Sequence, residues 1–144
     1  EEGLILGADT VVSIDGEILG KPTDREDARR MLRKLRGRAH SVFTGVSIVR
    51  KNRTENAALQ NGGAGIETLE NFFRETKVFV HPMSDEEIEG YLDTGDAFDK
   101  AGSYGIQGPF AAVVDGIQGD YSNVVGLPVS AVYQALVRLG EYRQ

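Results

Sequence analysis

The 144-residue chain contains no cysteine and only two histidines, His40 and His81. The first absence excludes disulfides, thiol catalysis and thiolate metal sites, and it fits a cytoplasmic protein. The second argues against a histidine-rich zinc site. No apolar run is long enough to span a membrane, and no secretory signal pattern is present. Basic residues are in deficit, 16 against 22 acidic, and the net charge of −6 argues against a nucleic-acid partner. Neither a Walker A loop nor the dinucleotide fingerprint occurs: Gly102, Gly105 and Gly108 are spaced three apart, but no helix pattern opens after them.

What is present is the balance of an ordinary globular domain, 40% hydrophobic and 26% charged, over a length that can bury a sizeable core as one domain, 1–144. The charge is unevenly spread. Residues 25–38 hold seven basic residues, whereas 85–120 hold nine acidic ones and one lysine, Lys100. The simplest reading is two solvated faces of opposite sign.

The run Leu4–Val12 reads as a buried strand. Asp15-Gly16, between Val12-Ser13-Ile14 and Glu17-Ile18-Leu19, is a two-residue hairpin signal. Thr23-Asp24-Arg25-Glu26 has capping-box spacing, after which Ala28, Met31, Leu32 and Leu35 recur at helical intervals up to Gly37. His40–Val49 reads as a strand with Val42, Val46 and Ile48 on one parity. The polar, glycine-rich stretch 50–67 reads as an exposed loop, and its sequon Asn52-Arg53-Thr54 as chance. Phe72–Val80 is a further strand, and Ser84-Asp85-Glu86-Glu87 caps a short helix burying Ile88, Tyr91 and Leu92. Phe110–Ile117 looks like a strand, and Pro128 opens a last helix carrying Val129, Val132, Tyr133, Leu136 and Leu139. This predicts an α/β fold with a mixed sheet and flanking helices.

Phosphate chemistry without cysteine or clustered histidine calls for carboxylates, lysines or arginines, and a divalent metal. Several residues suit it. Asp9 and Thr10 interrupt an apolar run, where burying a carboxylate is costly without a purpose. Lys21 leaves the hairpin before Pro22. Asp99 and Lys100 adjoin Ala101-Gly102, where small residues let a ligand approach the backbone. Gln107 offers a primary amide that can both donate to and accept from a base edge. Taken singly each has an ordinary reading as well: Asp9 as a turn or cap residue, the lysines as solvated, the glycines as tight turns.

Together these stretches resemble a known family. GADTVVSIDGEILGKPTDREDARRMLRKLRGRAHSVFTGVSIV is similar to the first half of the Maf family, the septum-formation-inhibitor-like nucleotide pyrophosphatases. DKAGSYGIQG and then GDYSNVVGLPVSAV resemble its second half, in the same order. The likeness covers nearly the whole chain apart from 50–67, which suggests an insertion there. It implies a Maf/ITPase-like fold with two lobes around a nucleotide cleft. It also implies hydrolysis of nucleoside triphosphates between the α and β phosphates, a divalent cation (Mg²⁺ or Mn²⁺) and a homodimer. On the resemblance, Asp9 of G-A-D-T is the proton acceptor and a metal ligand. Thr10 and Gln107 match positions tied to substrate choice. Lys21 and Lys100 match lysines suited to the triphosphate, and Asp99 is a candidate for metal or for positioning Lys100.

The segment Ser103–Gln107 resembles the branch preferring dTTP, UTP and modified pyrimidine nucleotides. A second branch, acting on 7-methyl-GTP, has a serine/phenylalanine-lysine-serine-glutamate pattern there. The glutamine amide suits the alternating carbonyl and N–H edge of thymine or uracil. A third reading is a non-catalytic nucleotide-binding regulator of cell division. The family's Ser-X-Ser-Pro-Arg-Arg motif and an early acidic residue have no counterpart here, so the resemblance implies a member without its N-terminal arm. Gly-Ile-Gln-Gly occurs twice, at 105–108 and 116–119, but four residues at a spacing of eleven are too short for a repeat. Gln118 is expected in a turn or at a strand end.

Overall fold

The computed structural model describes residues 3–52 and 65–142. Strand β1 (Gly3–Ile14) turns through Asp15 and Gly16, with φ of 53° and 75°, into β2 (Glu17–Leu19). Two consecutive positive φ values are what the expected Asp-Gly hairpin requires. Helix α1 (Arg25–Leu35) follows, then β3 (Ala39–Lys51), β4 (Ile66–Val80) and α2 (Asp85–Asp93). A short 3₁₀ turn at Ala101–Ser103 and another at Pro109–Val113 precede β5 (Val114–Gln118). The chain ends in α3 (Tyr121–Val125) and α4 (Val129–Arg138).

The sheet has the order β2-β1-β3-β4-β5, and every pairing is antiparallel. The fold is α/β with flanking helices, as expected, but the sheet is not mixed. Each strand folds back directly beside its predecessor or across a neighbour of opposite direction, so no parallel crossover arises. Strands β3 and β4 run longer than their apolar cores, to Lys51 and from Ile66, which takes both ends of the expected 50–67 loop into the sheet. Residues 53–64 of that stretch, with Arg53 and Thr54 of the sequon, lie outside the described residues.

Even-numbered positions of β1, β3 and β4 face the helices. One core cluster joins Val12, Val42 and Val78 to Ala28, Met31, Leu32 and Leu35 of α1 and Ile88 and Leu92 of α2. A second joins Val46 and Ile48 to Val132 and Ala135 of α4. Each fully buried Leu or Ile contributes roughly 1.5–3 kcal/mol of hydrophobic stabilisation. Between the clusters, on the same strand, lies the fully buried Thr44.

Three local expectations shift. The run Leu4–Val12 is not buried throughout: Leu4, Ile5 and Leu6 are 37%, 50% and 45% exposed. β2 flanks only Val12–Ile14, so the first half of β1 is a sheet edge with β3 alone beside it. The N-cap of α1 is Asp24, accepting from Asp27 N–H, one residue later than Thr23. Instead, Thr23 N–H donates to the Asp27 carboxylate. Phe110–Val113 is a 3₁₀ turn rather than strand, because Phe110 is drawn inward onto Tyr91 and Tyr104 (ring centroids 5.0 and 4.5 Å). The capping box at Ser84–Glu87 forms as expected.

The opposite charges are not separate solvated faces. They face each other: Arg25 pairs with Glu89 and Asp93, Arg29 with Glu89, and Arg33 and Arg36 with Asp85 across the α1–α2 contact. Arg30 and Lys34 reach Glu17, and Arg38 reaches Asp15. All seven basic residues of 25–38 are thereby spoken for.

Candidate active site

A cleft of about 550 Å³ opens beside the junction of the two core clusters. Its walls come from β1, the segment after β2, the 96–108 stretch and α3. Asp9, Thr10, Lys21, Lys100 and Gln107 all line it. Five residues spread over nearly one hundred positions thus meet at one site of a size suited to a small-molecule ligand. Asp99 does not line this cleft. It lies in an adjoining depression, which shares Asp96 and Lys100 with the cleft.

Asp9 sits in the β1 ladder opposite Gly45 and is exposed, not buried as its apolar neighbours suggest. Among the described residues it has no ion pair, so its carboxylate oxygens are available. Lys21 is likewise exposed and outside any ion pair among the described residues, and so is Gln107 free of side-chain hydrogen bonds there.

Thr10 is different. Its hydroxyl lies 2.8 Å from that of Thr44, whose own proton goes to the carbonyl oxygen of Asn123 at 2.9 Å. A hydroxyl has one proton. Thr44 has spent its proton, so Thr10 must be the donor between the two, and toward the cleft Thr10 can only accept. The chain continues through Asn123, fully buried, whose two Nδ2 protons are shared among Val42 O, Arg74 O and Thr76 Oγ1 at 3.0–3.2 Å. Asn123 thereby clamps α3 onto β3 and β4 and holds Val124 and Val125 at the cleft wall.

The 96–108 stretch is built around a charged strut. The Lys100 ammonium donates to Asp96 O (2.9 Å), Asp96 Oδ1 (3.0 Å) and Asp99 Oδ1 (2.9 Å). Asp96 Oδ2 accepts from the Tyr91 hydroxyl at 2.7 Å, which in turn accepts from Gly105 N–H at 3.3 Å. Burial works against the Asp96 carboxylate, yet the bonds from Tyr91 and Lys100 outweigh it and hold its pKa below the ordinary carboxylate value. The bond from Lys100 lowers the Asp99 pKa, and the reciprocal bonds raise that of Lys100. All three groups are charged at neutral pH.

Two backbone features shape this stretch. Gly102 has φ +72°, and a Cβ there would lie 2.9 Å from Val12 Cγ2. Ser103 follows at φ 66°, an uncommon conformation for a non-glycine, fully buried with its hydroxyl on Met31 Sδ at 3.1 Å. This pair reverses the chain so that Lys100 and Gln107 both face the cleft. Further on, a Cβ at Gly105 would meet Lys100 Cε at 2.6 Å, and one at Gly108 would meet Asp96 Oδ2 at 2.9 Å. The first Gly-Ile-Gln-Gly therefore rests directly on the Asp96–Lys100 pair. The second ends β5, with Gln118 opposite Lys77, so the two segments share spelling and not role.

Sequence reading missed Thr44, Tyr91's hydroxyl, Asp96 and the buried hydrogen bonds of Asn123. The one legible signal was the spacing of Asp96 and Lys100, four apart; Tyr91's hydroxyl reaches Asp96 five positions on and Gly105 fourteen on, and Thr44 and Asn123 are recruited across 34 or more positions.

The profile of the family described as Maf-like protein matches residues 1–139. A dTTP/UTP pyrophosphatase of Agathobacter rectalis is 50% identical over 137 residues, 95% of this chain and 62% of the relative. Those of Thermoanaerobacter sp. (strain X514) and Dictyoglomus thermophilum are 46% and 50% identical, covering 96% and 95% of this chain and 65% and 64% of their own lengths. The chain thus spans a little under two thirds of these relatives. With the profile spanning almost its whole length and half its residues shared with such relatives, the chain belongs to the Maf-like protein family.

Proposed function

We propose that this chain is the nucleotide-binding and catalytic part of a dTTP/UTP pyrophosphatase, releasing the nucleoside monophosphate and pyrophosphate. The observation that carries this is the convergence of an unpaired carboxylate, two lysines, an acceptor-only hydroxyl and a free amide in one cleft. The relatives named dTTP/UTP pyrophosphatase support the same reading.

In this reading Asp9 accepts a proton from the attacking water as its oxygen bonds to the α-phosphorus. The bond from that phosphorus to the α–β bridging oxygen breaks, and pyrophosphate leaves. Lys21 and Lys100 offset the charge gathered on the departing phosphates. Gln107 donates its N–H to a pyrimidine carbonyl and accepts from the ring N–H, a pairing that adenine and cytosine do not offer.

A divalent cation, Mg²⁺ or Mn²⁺, when bound, would neutralise the triphosphate and polarise the attacked phosphorus. The donor set fits such an ion. Among the described residues no three His, Cys, Asp or Glu side chains gather as a cage, and Mg²⁺ is commonly held by one or two carboxylates together with substrate phosphates. Asp9 has the available hard oxygens. Asp99 is the poorer candidate, because Lys100 occupies its carboxylate.

No helix among the described residues is long and apolar enough to cross a membrane. With the absence of cysteine, this supports a cytoplasmic place of action. The face of the sheet opposite the helices carries the Phe43–Phe73 pair, with Phe73 65% exposed, and an apolar face of this kind supports a homodimer.

The test is pyrophosphate release by the full-length protein across a nucleotide panel with Mg²⁺ or Mn²⁺. Cleavage of dTTP and UTP that falls about 10²–10⁴-fold in Asp9→Asn, with nucleotide binding retained, supports the reading. Cleavage of 7-methyl-GTP in preference would refute the role of Gln107, and tight binding without turnover would favour a regulator.

A further inference from the structure

We infer that substrate phosphate enters by displacing Asp99 from Lys100, while Asp96, held by Tyr91, keeps the ammonium aimed at the cleft. The inference rests on the pyrophosphatase reading only for the identity of the anion.

An ammonium has three protons. Those of Lys100 are all engaged, one by Asp96 O, one by Asp96 Oδ1 and one by Asp99 Oδ1. Before it can donate to a phosphate, one of these bonds has to open. The three are not equal. The Asp99 side chain is 79% exposed, and Lys100 is its one ion-pair partner among the described residues. An exposed pair of this kind contributes little and exchanges readily. The Asp96 side chain is only 21% exposed, accepts a second bond from Tyr91, and supplies both its carbonyl and its carboxylate to the same ammonium. Tyr91 is itself fixed, 7% exposed and packed on Phe110.

Position points the same way. Lys100 stands in the wall between the cleft and the depression that holds Asp99. The loop 105–108 lies against Lys100 and Asp96 so closely that a Cβ at Gly105 or Gly108 would have to displace the Lys100 or Asp96 side chain. Asp96 is therefore a positioning residue for Lys100 and for the loop carrying Gln107. Asp99 is an exchangeable counter-ion, which keeps the lysine paired until a polyphosphate takes its place.

The two aspartates, three residues apart, then have opposite effects. This is tested by calorimetric titration of the full-length protein with α,β-imido-dTTP, inorganic tripolyphosphate and dTMP. Asp99→Asn tightens the two polyphosphates a few-fold, the size of an exposed ion pair. Asp96→Asn weakens them about tenfold, as expected for losing a charge-assisted anchor. Tyr91→Phe, which keeps the ring packing, weakens them to a lesser degree. dTMP, lacking β and γ phosphates, is unmoved by Asp99→Asn. In steady-state assays the effects fall on KM more than on kcat. Introduced into a Lys100→Gln background, Asp99→Asn gains nothing. The inference is overturned if Asp96→Asn and Asp99→Asn shift polyphosphate affinity in the same direction, if the gain persists without Lys100, or if dTMP follows in step. Should the wild type cleave neither dTTP nor UTP, the pyrophosphatase reading falls, and the tripolyphosphate titrations still decide the exchange at Lys100.

Discussion

Thr10 donates its hydroxyl proton to Thr44 across 2.8 Å, and this single bond decides what Thr10 can offer a ligand. The cause is one strand away. Thr44 has already given its proton to the Asn123 carbonyl, so the polarity of the cleft wall is set from beneath it.

Replacing Thr44 by valine keeps the shape and removes that direction. Thr44→Val is expected to cost about 1–2 kcal/mol of stability, because the Asn123 carbonyl loses its Thr44 donor and Thr10 its acceptor. With its proton free to turn toward the cleft, Thr10 also presents the wrong polarity, so KM for dTTP rises while kcat is little changed. Thr44→Ser restores both. Denaturant titration together with steady-state kinetics checks this, and a wild-type KM in Thr44→Val would count against the assigned direction.

His40 makes stability depend on pH. It is buried, its Nδ1 has no partner among the described residues, and burial pushes its pKa from 6.5 down to about 4. The unfolded chain takes up a proton below about 6.5 that the folded protein refuses until about 4. Stability is therefore fully present above the unfolded pKa and falls as pH drops through that window, by about 3 kcal/mol in total. Urea midpoints followed from neutral to mildly acidic pH should show this slope, and His40→Gln should flatten it.

Gly102 carries both a left-handed backbone and the closest approach of this loop to the sheet. Gly102→Ala places a methyl 2.9 Å from Val12 Cγ2 at φ +72°. The expected cost is about 2–4 kcal/mol from strain and overpacking combined. Because Lys100 and Gln107 flank this reversal, activity should fall more than the loss of folded protein explains. A denaturation midpoint like that of the wild type would show that the loop relaxes instead.

The α1–α2 ion pairs should matter far less than their number suggests. Arg29 first, then Arg25, hold the Glu89 pKa down to about 2. The pairing is thus present above the ordinary glutamate range and is lost only as pH falls toward 2. Glu89 is half-buried, its side chain keeping 38% of its surface in solvent, so Glu89→Gln is expected to lower the melting temperature modestly in dilute buffer. In molar salt the difference should disappear. Persistence in high salt would mean that Glu89 acts through packing.

Much of the fold was legible along the chain, for a local reason. The Asp15-Gly16 turn, the Ser84–Glu87 capping box and the even-numbered apolar set of β3 each depend on neighbours within a few residues. The candidate site was legible in part, because Asp9, Thr10, Lys21, Lys100 and Gln107 stand in recognisable stretches. Thr44 was not: a threonine on a strand has the same spelling whether exposed or fully buried. Nor was Asp96 distinguishable from the eight other acidic residues of 85–120. Its difference lies in the Tyr91 hydroxyl, whose arrival depends on how α2 packs.

By itself, then, the sequence determined the class of fold, through residue types and short spacings, and the family, through the motifs that resemble it. Only the tertiary structure decided that the sheet is wholly antiparallel, that Asp9 is exposed, and that the basic run faces the acidic helix. It also decided which protons are already spent at Thr44 and Lys100. Lys100 apart, whose partners stand one and four positions away, those facts depend on which distant groups come within about 3 Å of one another, and hydrogen bonding is short-ranged and directional enough that spacing along the chain cannot supply it.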